Sequence, residues 1–559
     1  MVRQVVRLFY REFQGLHQAA YVLALFAFAS QVLALVRDRA LAHTFGAGVE
    51  LDLYYTAFRI PDILFVVFSS MLSVYVLIPF VTKLQKEKGD DTAAHLLGQI
   101  FTFFLISYSA ISATLFLFAP TILSLIFPSI TGNEHETVTM LFRILLLQPF
   151  LLGLSSLFGV ITQLRQRFMI YAVSPILYNV GIIVGVFYLY PHFGLAGLAM
   201  GVVSGALAHA AIQLPLVLKS PLCFIVRIPQ TQYLTDIIKV AIPRAATLSL
   251  NQIVLLVLTI LATGMTVGSV SVFQFAFNLQ SVPLTIIGVS YSVAAFPVMA
   301  KLLAAEEFQK FKTQVRNAFR HIIFWALPAI ALIIVLRAQI VRVLLGSGNF
   351  DWDDTRLTAA ILAIFIVSLL AQAINLLAIR AFYAYGDTKT PLLIALLGSL
   401  TTLLVSYTSY AYLYSYELVQ NLIVSTLRLE NVAGTEVVLL AFGFTVGVSI
   451  QASIMVWKLQ RTFPGICQGV SAVLKKAAAA AIGGGLSAYL VLQFIVVGIR
   501  QDTLVGIALQ GFFAGTVGVI VVYITYKLTK CDELHEIQTA ITKRYDFRNF
   551  LGLKRGRQR

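Results

Sequence analysis

The chain has 559 residues, of which 59% are hydrophobic and 12% charged. A soluble domain carries about 25% charged residues, so much of this surface must face lipid rather than water. Three cysteines with no CxxC pair give no sign of a disulfide framework or a zinc site, and the net charge of +16 has to be explained by where the charges fall.

A membrane span needs about 20 mostly apolar residues. Fourteen such runs are found, at 18–40, 53–82, 96–124, 138–161, 170–190, 194–218, 236–263, 270–300, 319–345, 357–383, 391–414, 437–457, 477–498 and 503–526. They are numbered here as spans 1 to 14, and the expected fold class is an all-α polytopic membrane protein. Residues 1–17, with Arg3, Arg7 and Arg11, read as a cytoplasmic amphipathic start. They lack the small-residue cleavage pattern of a signal peptide.

The stretch "VRDRALAHTFGAGVELDLYYTAFRIPD" (36–62) joins spans 1 and 2 and holds Arg37, Asp38, Arg39, Asp52, Arg59 and Asp62. A charge at mid-bilayer costs roughly 2.5–3.5 kcal/mol on insertion scales, so such residues face a cavity, a partner or the headgroups. Arg37 is the leading ligand candidate, with Asp38 and Asp52 as partners. Interfacial snorkelling of Arg37, Arg39 and Arg59 is an equal reading, and Asp52 serves as well for the N-cap of span 2. Gly46 and Gly48 are expected to make the tight turn between the spans.

Further polar residues at span depth are Gln31, Gln148, Asn179, Asn251, Gln252, Gln274, Asn278, Gln372 and Asn375. Singly each reads as an interhelical hydrogen bond; together they can line a polar cavity. His209 in span 6 reads as a packing histidine. Gly197, Gly201 and Gly205 form a small-xxx-small face for close helix contact. The run "AAAAAIGGG" (477–485) of span 13 is expected to shape an apolar surface groove with span 14.

Of the 41 Lys and Arg residues, 29 fall in the termini and the loops on their side. Five fall in the opposite loops and seven in or at the ends of spans, with Arg320, Arg337 and Arg342 at the two ends of span 9 counted with the loops beside them. By the positive-inside rule both termini are cytoplasmic, and the basic excess is mainly a topology signal. No nucleic-acid motif accompanies it, so no nucleic-acid partner is expected; the basic tail (527–559) is expected to touch membrane lipids.

"IPFVTKL" (78–84) recurs as "FPVMAKL" (296–302), 218 residues on, and "RQRFMIYAVSP" (165–175) is echoed by "RAFYAYGDTKTP" (380–391) at nearly the same offset. This implies two six-span lobes of like orientation, 18–218 and 219–457, with spans 13 and 14 (458–526) outside the repeat. A parallel repeat of this kind is a transporter design with its site between the halves. There is no GxxxxGK[ST] loop, HExxH, GxSxG or GxGxxG. No catalytic residue, metal or cofactor is expected; coupling to Na+, H+ or the membrane potential stays open.

The stretch "RDRALAHTFGAGVELDLYYTAFRIPDIL" (37–64) resembles the start of the MurJ (MviN) lipid II flippases, of the multidrug/oligosaccharidyl-lipid/polysaccharide exporter superfamily. The family pattern is roughly R-D-x-x-x-A-x-x-F-G-A-G-x-x-x-D-A-F-x-x-A-F-x-I-P-N. Arg37, Asp38, Phe45, Gly46, Ala47, Gly48, Asp52, Ala57, Phe58, Ile60 and Pro61 meet it. Residues 340–362 and the segment with Arg380, Asp387 and Pro391 are also similar to family segments. The resemblance implies an alternating-access flippase that moves a polyprenyl-diphosphate-linked sugar, lipid II above all, for peptidoglycan synthesis in the bacterial inner membrane. Arginines would hold the diphosphate through bidentate pairs, and spans 13 and 14 would cradle the polyprenyl tail.

The chain departs from the family at Gln31 after Ser30, at Leu64–Val66, where the family has an arginine pair, and at Asn278, near a family arginine. Arg37 alone of the matched cavity arginines is retained, with Arg59 and Arg244 as candidate substitutes. The expected ligand set is therefore Gln31, Arg37, Asp38, Asp52, Arg59 and Asn278, in a monomer. Two alternatives are a cation-coupled exporter of small amphiphiles and a non-transporting scaffold for cell-wall synthesis proteins. The exporter should show an acidic residue deep in one lobe, and none stands out in the sequence. The scaffold should show a collapsed apolar interface.

Overall fold

The computed structural model describes residues 16–222, 231–495 and 503–544, and every regular element among them is helical. Eleven stretches are long and apolar enough to cross a membrane, and a twelfth crossing is the pair Trp352–Val367 and Leu369–Ala384, bent by 43°. One of the eleven, Phe168–Leu218, holds spans 5 and 6 together, because the chain leaves helical geometry only at Gly194 (φ +57). Span 1 is the 30-residue helix Leu16–Phe45. Among the described residues each of the fourteen apolar runs is thus helical, and the chain is a multi-pass membrane protein.

The ends of the spans differ from expectation where apolar periodicity continues past a charge. Span 9 begins at Phe308 rather than 319, since Phe311, Val315, Phe319 and Ile322 form one buried face across the basic residues of its first turns. Span 2 is two helices, Val49–Met71 and Val74–Lys88; Pro61 lies buried inside the first. The loop between spans 11 and 12 contains an unforeseen helix, Glu417–Leu427.

The segments read as a repeat share local features. Val74–Lys88 and Ser290–Ala304 are both 15 residues long and carry Pro79 and Pro297. Each is followed by a left-handed residue, Gly89 (φ +85) and Glu306 (φ +59). The second pair of segments turns at Gln166 (φ +55) and Gly386 (φ +88). Arg380 donates to Ser292 Oγ at 2.9 Å, Asp387 N–H to Phe382 O at 3.0 Å, and Pro391 is buried at the start of span 11.

The chain divides into two compact units. The first comprises Met1–Leu279, Leu344–Phe365 and Thr388–Ile450; the second comprises Gln280–Val343, Ile366–Asp387 and Gln451–Arg559. In the first, spans 5 and 6 pack through glycines. A Cβ on Gly205 would lie 2.5 Å from Tyr178 O, and one on Gly181 or Gly201 would collide with the facing glycine backbone. Those glycines set the position of Tyr178 and Asn179. His209 is a packing residue, as expected: its Nδ1 meets Ser155 Oγ at 2.6 Å, and Gln213 donates to the same hydroxyl at 2.5 Å.

In the second unit, spans 13 and 14 pack against each other and against span 9. Ala477, Ala480, Ala481, Gly484, Gly485 and Ala488 form one buried stripe. A Cβ on Gly485 would touch Ala331, and one on Gly518 would meet Leu332 and the Gly484 carbonyl. The small residues of 477–485 therefore serve helix packing, and the face left exposed is Leu474, Ile482, Leu486 and Tyr489. Helix Asp532–Arg544 docks on span 9: Arg320 donates to Glu533 at 2.5 Å and to Asp532 at 3.1 Å. The Cys531 thiol donates to Glu533 at 3.0 Å. Burial, reinforced by that carboxylate, pushes the thiol up to about 12, so it stays protonated. Cys467 is also a free thiol. Cys223, residues 1–15 and the last part of the basic tail lie outside the described residues.

Candidate functional site

Four helices of the first unit converge on a cavity of about 170 Å³. Each presents residues at helical spacing, so one face of each helix supplies the lining. Span 1 contributes Arg37 and Leu41; span 5, Tyr178 and Ile182; span 8, Gln274 and Asn278. Span 2 contributes the most, with Tyr54, Tyr55, Phe58, Arg59 and Asp62.

A continuous chain of hydrogen bonds ties the polar groups together. Arg37 Nη1 donates to Asn179 Oδ1 at 3.1 Å, while its Nε and Nη2 both reach Asp38 Oδ1, at 2.9 and 2.7 Å. Asn278 donates to the other Asp38 oxygen at 3.0 Å, and Gln274 donates to Asn278 Oδ1 at 2.7 Å. Arg59 Nη2 closes the chain on Gln274 Oε1 at 2.7 Å. Asp38 is only 3% exposed and Arg59 only 5%. Isolated charges at that depth are costly; here the network compensates Asp38 fully and Arg59 in part.

The compensation is incomplete at two points. Arg59 Nε and Tyr55 Oη are buried donors with no partner among the described residues. Asp62 also lines the cavity, yet forms no ion pair with Arg59 among the described residues. An unpartnered donor on a residue that lines a polar cavity suits an anion or an acceptor-rich ligand.

Of the six expected ligands, the structure brings Arg37, Asp38, Arg59 and Asn278 together. Gln31 is half-buried in span 1 and is not part of the lining. Asp52 is engaged elsewhere. From the first turn of span 2 it accepts from Gly268 N at 2.7 Å, Ser271 N at 2.8 Å and Ser271 Oγ at 2.5 Å. It thereby caps the start of span 8, not span 2, whose N-cap is Gly48. Gly46 (φ +61) makes the turn, and a Cβ there would lie 2.5 Å from Asn349 O. Gly48 has φ −116, open to any residue. The same end is closed further by Asn349 N–H on His43 O at 3.0 Å and Ala47 N–H on Asp354 at 3.1 Å. The side chain of Arg244 lies outside the described residues.

Sequence reasoning missed Tyr54, Tyr55, Tyr178 and the place of Asp62. The signal for Asp62 was its spacing, one turn beyond Arg59 and two beyond Tyr55. An acidic residue at span depth is the feature expected of the exporter alternative, and here it stands beside the arginine.

A family model described as Lipid II flippase MurJ matches residues 41–426. The chain belongs to the MurJ family. Proteins named probable lipid II flippase MurJ are similar to it over comparable lengths. That of Buchnera aphidicola subsp. Baizongia pistaciae is 25% identical over 407 residues, 70% of this chain and 78% of its own. That of Bdellovibrio bacteriovorus is 27% identical over 390 residues, 68% of this chain and 74% of its own. A structure titled lipid II flippase MurJ, inward closed conformation, superposes with a TM-score of 0.72 and 20% identity, covering 91% of this chain and 99% of that one. An inward-facing multidrug resistance MATE transporter of the MOP superfamily follows at 0.65 and 15%, covering 80% of this chain and 96% of that one. These likenesses carry the MOP fold. The MurJ family is one of transporters.

Proposed function

We propose that this chain moves lipid II, a polyprenyl-diphosphate-linked sugar, from the inner to the outer leaflet by alternating access. The observation that carries the reading is the pair of arginines in one cavity. Arg37 comes from span 1, and Arg59 from span 2 is the candidate substitute for the family arginines that this chain lacks. Guanidinium forks match phosphate oxygens, and Arg59 keeps an unpartnered Nε donor.

The cavity of about 170 Å³ is smaller than the ~300–1,000 Å³ of ordinary ligand pockets. It can hold a phosphate-sized group, so loading the sugar requires the cavity to widen. The tie of Asp52, Gly46 and Asn349 closes the end that carries the loops after spans 1, 7 and 9. On the charge distribution that end is external and both termini are cytoplasmic. The two six-span lobes would move about this tie, while the polyprenyl tail stays in lipid along the exposed apolar face of span 13. An anion carried outward gains about 2.3 kcal/mol per charge per 100 mV of inside-negative potential, so the potential alone can drive export.

The cation-coupled exporter remains the second reading, because Asp62 is an acid within the cavity. The polar, charged lining argues against a scaffold with a collapsed site. The test is complementation: expression in a bacterium depleted of its lipid II flippase should restore growth, and failure despite full-length membrane insertion would contradict the proposal.

The orientation has its own test, in a background without native cysteines. Lys86→Cys is preferred to a cysteine at Gly89, whose φ of +85 resists a side chain. An impermeant thiol reagent added outside intact cells should label Asn133→Cys and spare Lys86→Cys. The opposite pattern would invert the topology.

A further inference from the structure

The cavity is not the purely cationic basket that a diphosphate would prefer. Its formal charges balance: Arg37 and Arg59 face Asp38 and Asp62. Asp38 is committed, holding Arg37 on one oxygen and Asn278 on the other. Asp62 has no such commitment. It lines the open volume, a full turn from Arg59, and forms no ion pair among the described residues.

A sphere of the observed volume is about 7 Å across. A diphosphate bound to Arg59 therefore sits within roughly that distance of the Asp62 carboxylate. At an effective dielectric of ~20, each unit of ligand charge at ~7 Å would be bound about fifty-fold more weakly beside an ionised Asp62 than beside a neutral one. The groups that face Asp62 offer little relief. Arg59, one turn back on the same helix, attracts the carboxylate without forming an ion pair with it, and Arg37 on span 1 is already held by Asp38. Tyr54 and Tyr55 on span 2 and Tyr178 on span 5 are neutral, as are Gln274 and Asn278 on span 8. His209 on span 6 is turned to Ser155, and the side chain of Arg244 on span 7 lies outside the described residues.

We propose that Asp62 is a proton-binding residue of the transport cycle: the anionic headgroup loads together with one proton, taken from water onto the Asp62 carboxylate. The proton neutralises the acid, turns it into a hydrogen-bond donor toward a phosphate oxygen, and removes its repulsion of an anion held by Arg59, whose Nε has no partner among the described residues. Linkage fixes the sign. Affinity for the anion is highest at low pH and falls as pH rises, approaching tenfold per pH unit once free Asp62 is ionised. This inference rests on the flippase reading and deepens it.

The experiment titrates purified full-length protein in lipid nanodiscs with lipid II between pH 5.5 and 8.5. The diphosphate diester of lipid II keeps a constant charge over that range, so a slope belongs to the protein. Wild type should lose about tenfold or more in affinity from the acid to the alkaline end. Asp62→Asn should bind with the acid-end affinity throughout, and Asp62→Glu should keep the slope. A flat wild-type profile, or a slope that survives in Asp62→Asn, overturns the role of Asp62 and leaves the flippase standing. Absence of lipid II binding at every pH in wild type and Asp62→Asn alike overturns the flippase reading itself.

Discussion

Arg37→Ala is expected to abolish complementation, reducing lipid II transport by about a hundredfold or more, as loss of a buried charge-assisted contact does. The same change also touches stability. It removes the cation from Asp38, which is 3% exposed and keeps only Asn278. Breaking a buried pair from one side costs ~3–5 kcal/mol. Arg37 keeps a fifth of its side chain exposed, so a loss of about 2–3 kcal/mol is expected here. Two companions separate binding from folding. Arg37→Ala with Asp38→Asn should recover most of the thermal stability without transport. Arg37→Lys should keep the fold and part of the transport, because an ammonium preserves charge but loses the fork. Arg59→Ala should also lose transport, but with a smaller loss of stability, since it makes one hydrogen bond, to Gln274, and no ion pair among the described residues. Thermal unfolding in detergent, run beside complementation, checks each pair.

Asp52→Ala is expected to give the second large effect, on stability and on the closed end. It leaves the N–H groups of Gly268 and Ser271 without their acceptor. Hydrogen bonds to a charged group contribute ~1.5–3 kcal/mol each at most, and a buried unsatisfied donor costs ~1–3 kcal/mol. The bonds are coupled and not additive, so a total near 2–4 kcal/mol is expected. Asp52→Asn keeps one acceptor oxygen and should lose about half of that. The carboxylate also favours the positive end of span 8, a term that Asn cannot supply. If Asp52→Ala melts at the wild-type temperature, the cap is not holding this end together.

Much of the fold was legible because hydrophobic runs of span length have few other homes. Among the described residues the fourteen runs are helical, and the two segments read as a repeat each carry a proline, Pro79 and Pro297. Boundaries were less legible. The first turns of span 9 carry Lys310, Lys312 and Arg316, which look like a loop until the buried stripe through Phe311, Val315 and Phe319 is counted. The glycine face of span 6 was read correctly because close approach is a local property. The small run of span 13 was misjudged for the opposite reason. Small residues announce close contact but not what fills it, and here it is spans 9 and 14.

The site was half legible. Arg37, Asp38, Arg59 and Asn278 stand together, and their cost in a span is what marked them. Asp52 carries the same cost but answers it at a helix start 216 residues away, which spacing along span 2 cannot reveal. The tyrosines gave no charge signal at all. Asp62 was visible as a charge but not as a cavity acid, because its meaning depends on the face it shares with Tyr55 and Arg59.

The most direct test of the account is lipid II translocation by the purified chain in sealed vesicles, with an imposed inside-negative potential. Wild type should move lipid II to the outer leaflet, the rate should rise with the potential, and Arg37→Ala and Arg59→Ala should both reduce it to the level of empty vesicles. Transport of lipid II by Arg37→Ala and Arg59→Ala at the wild-type rate would show that the arginine cavity is not where the diphosphate is held.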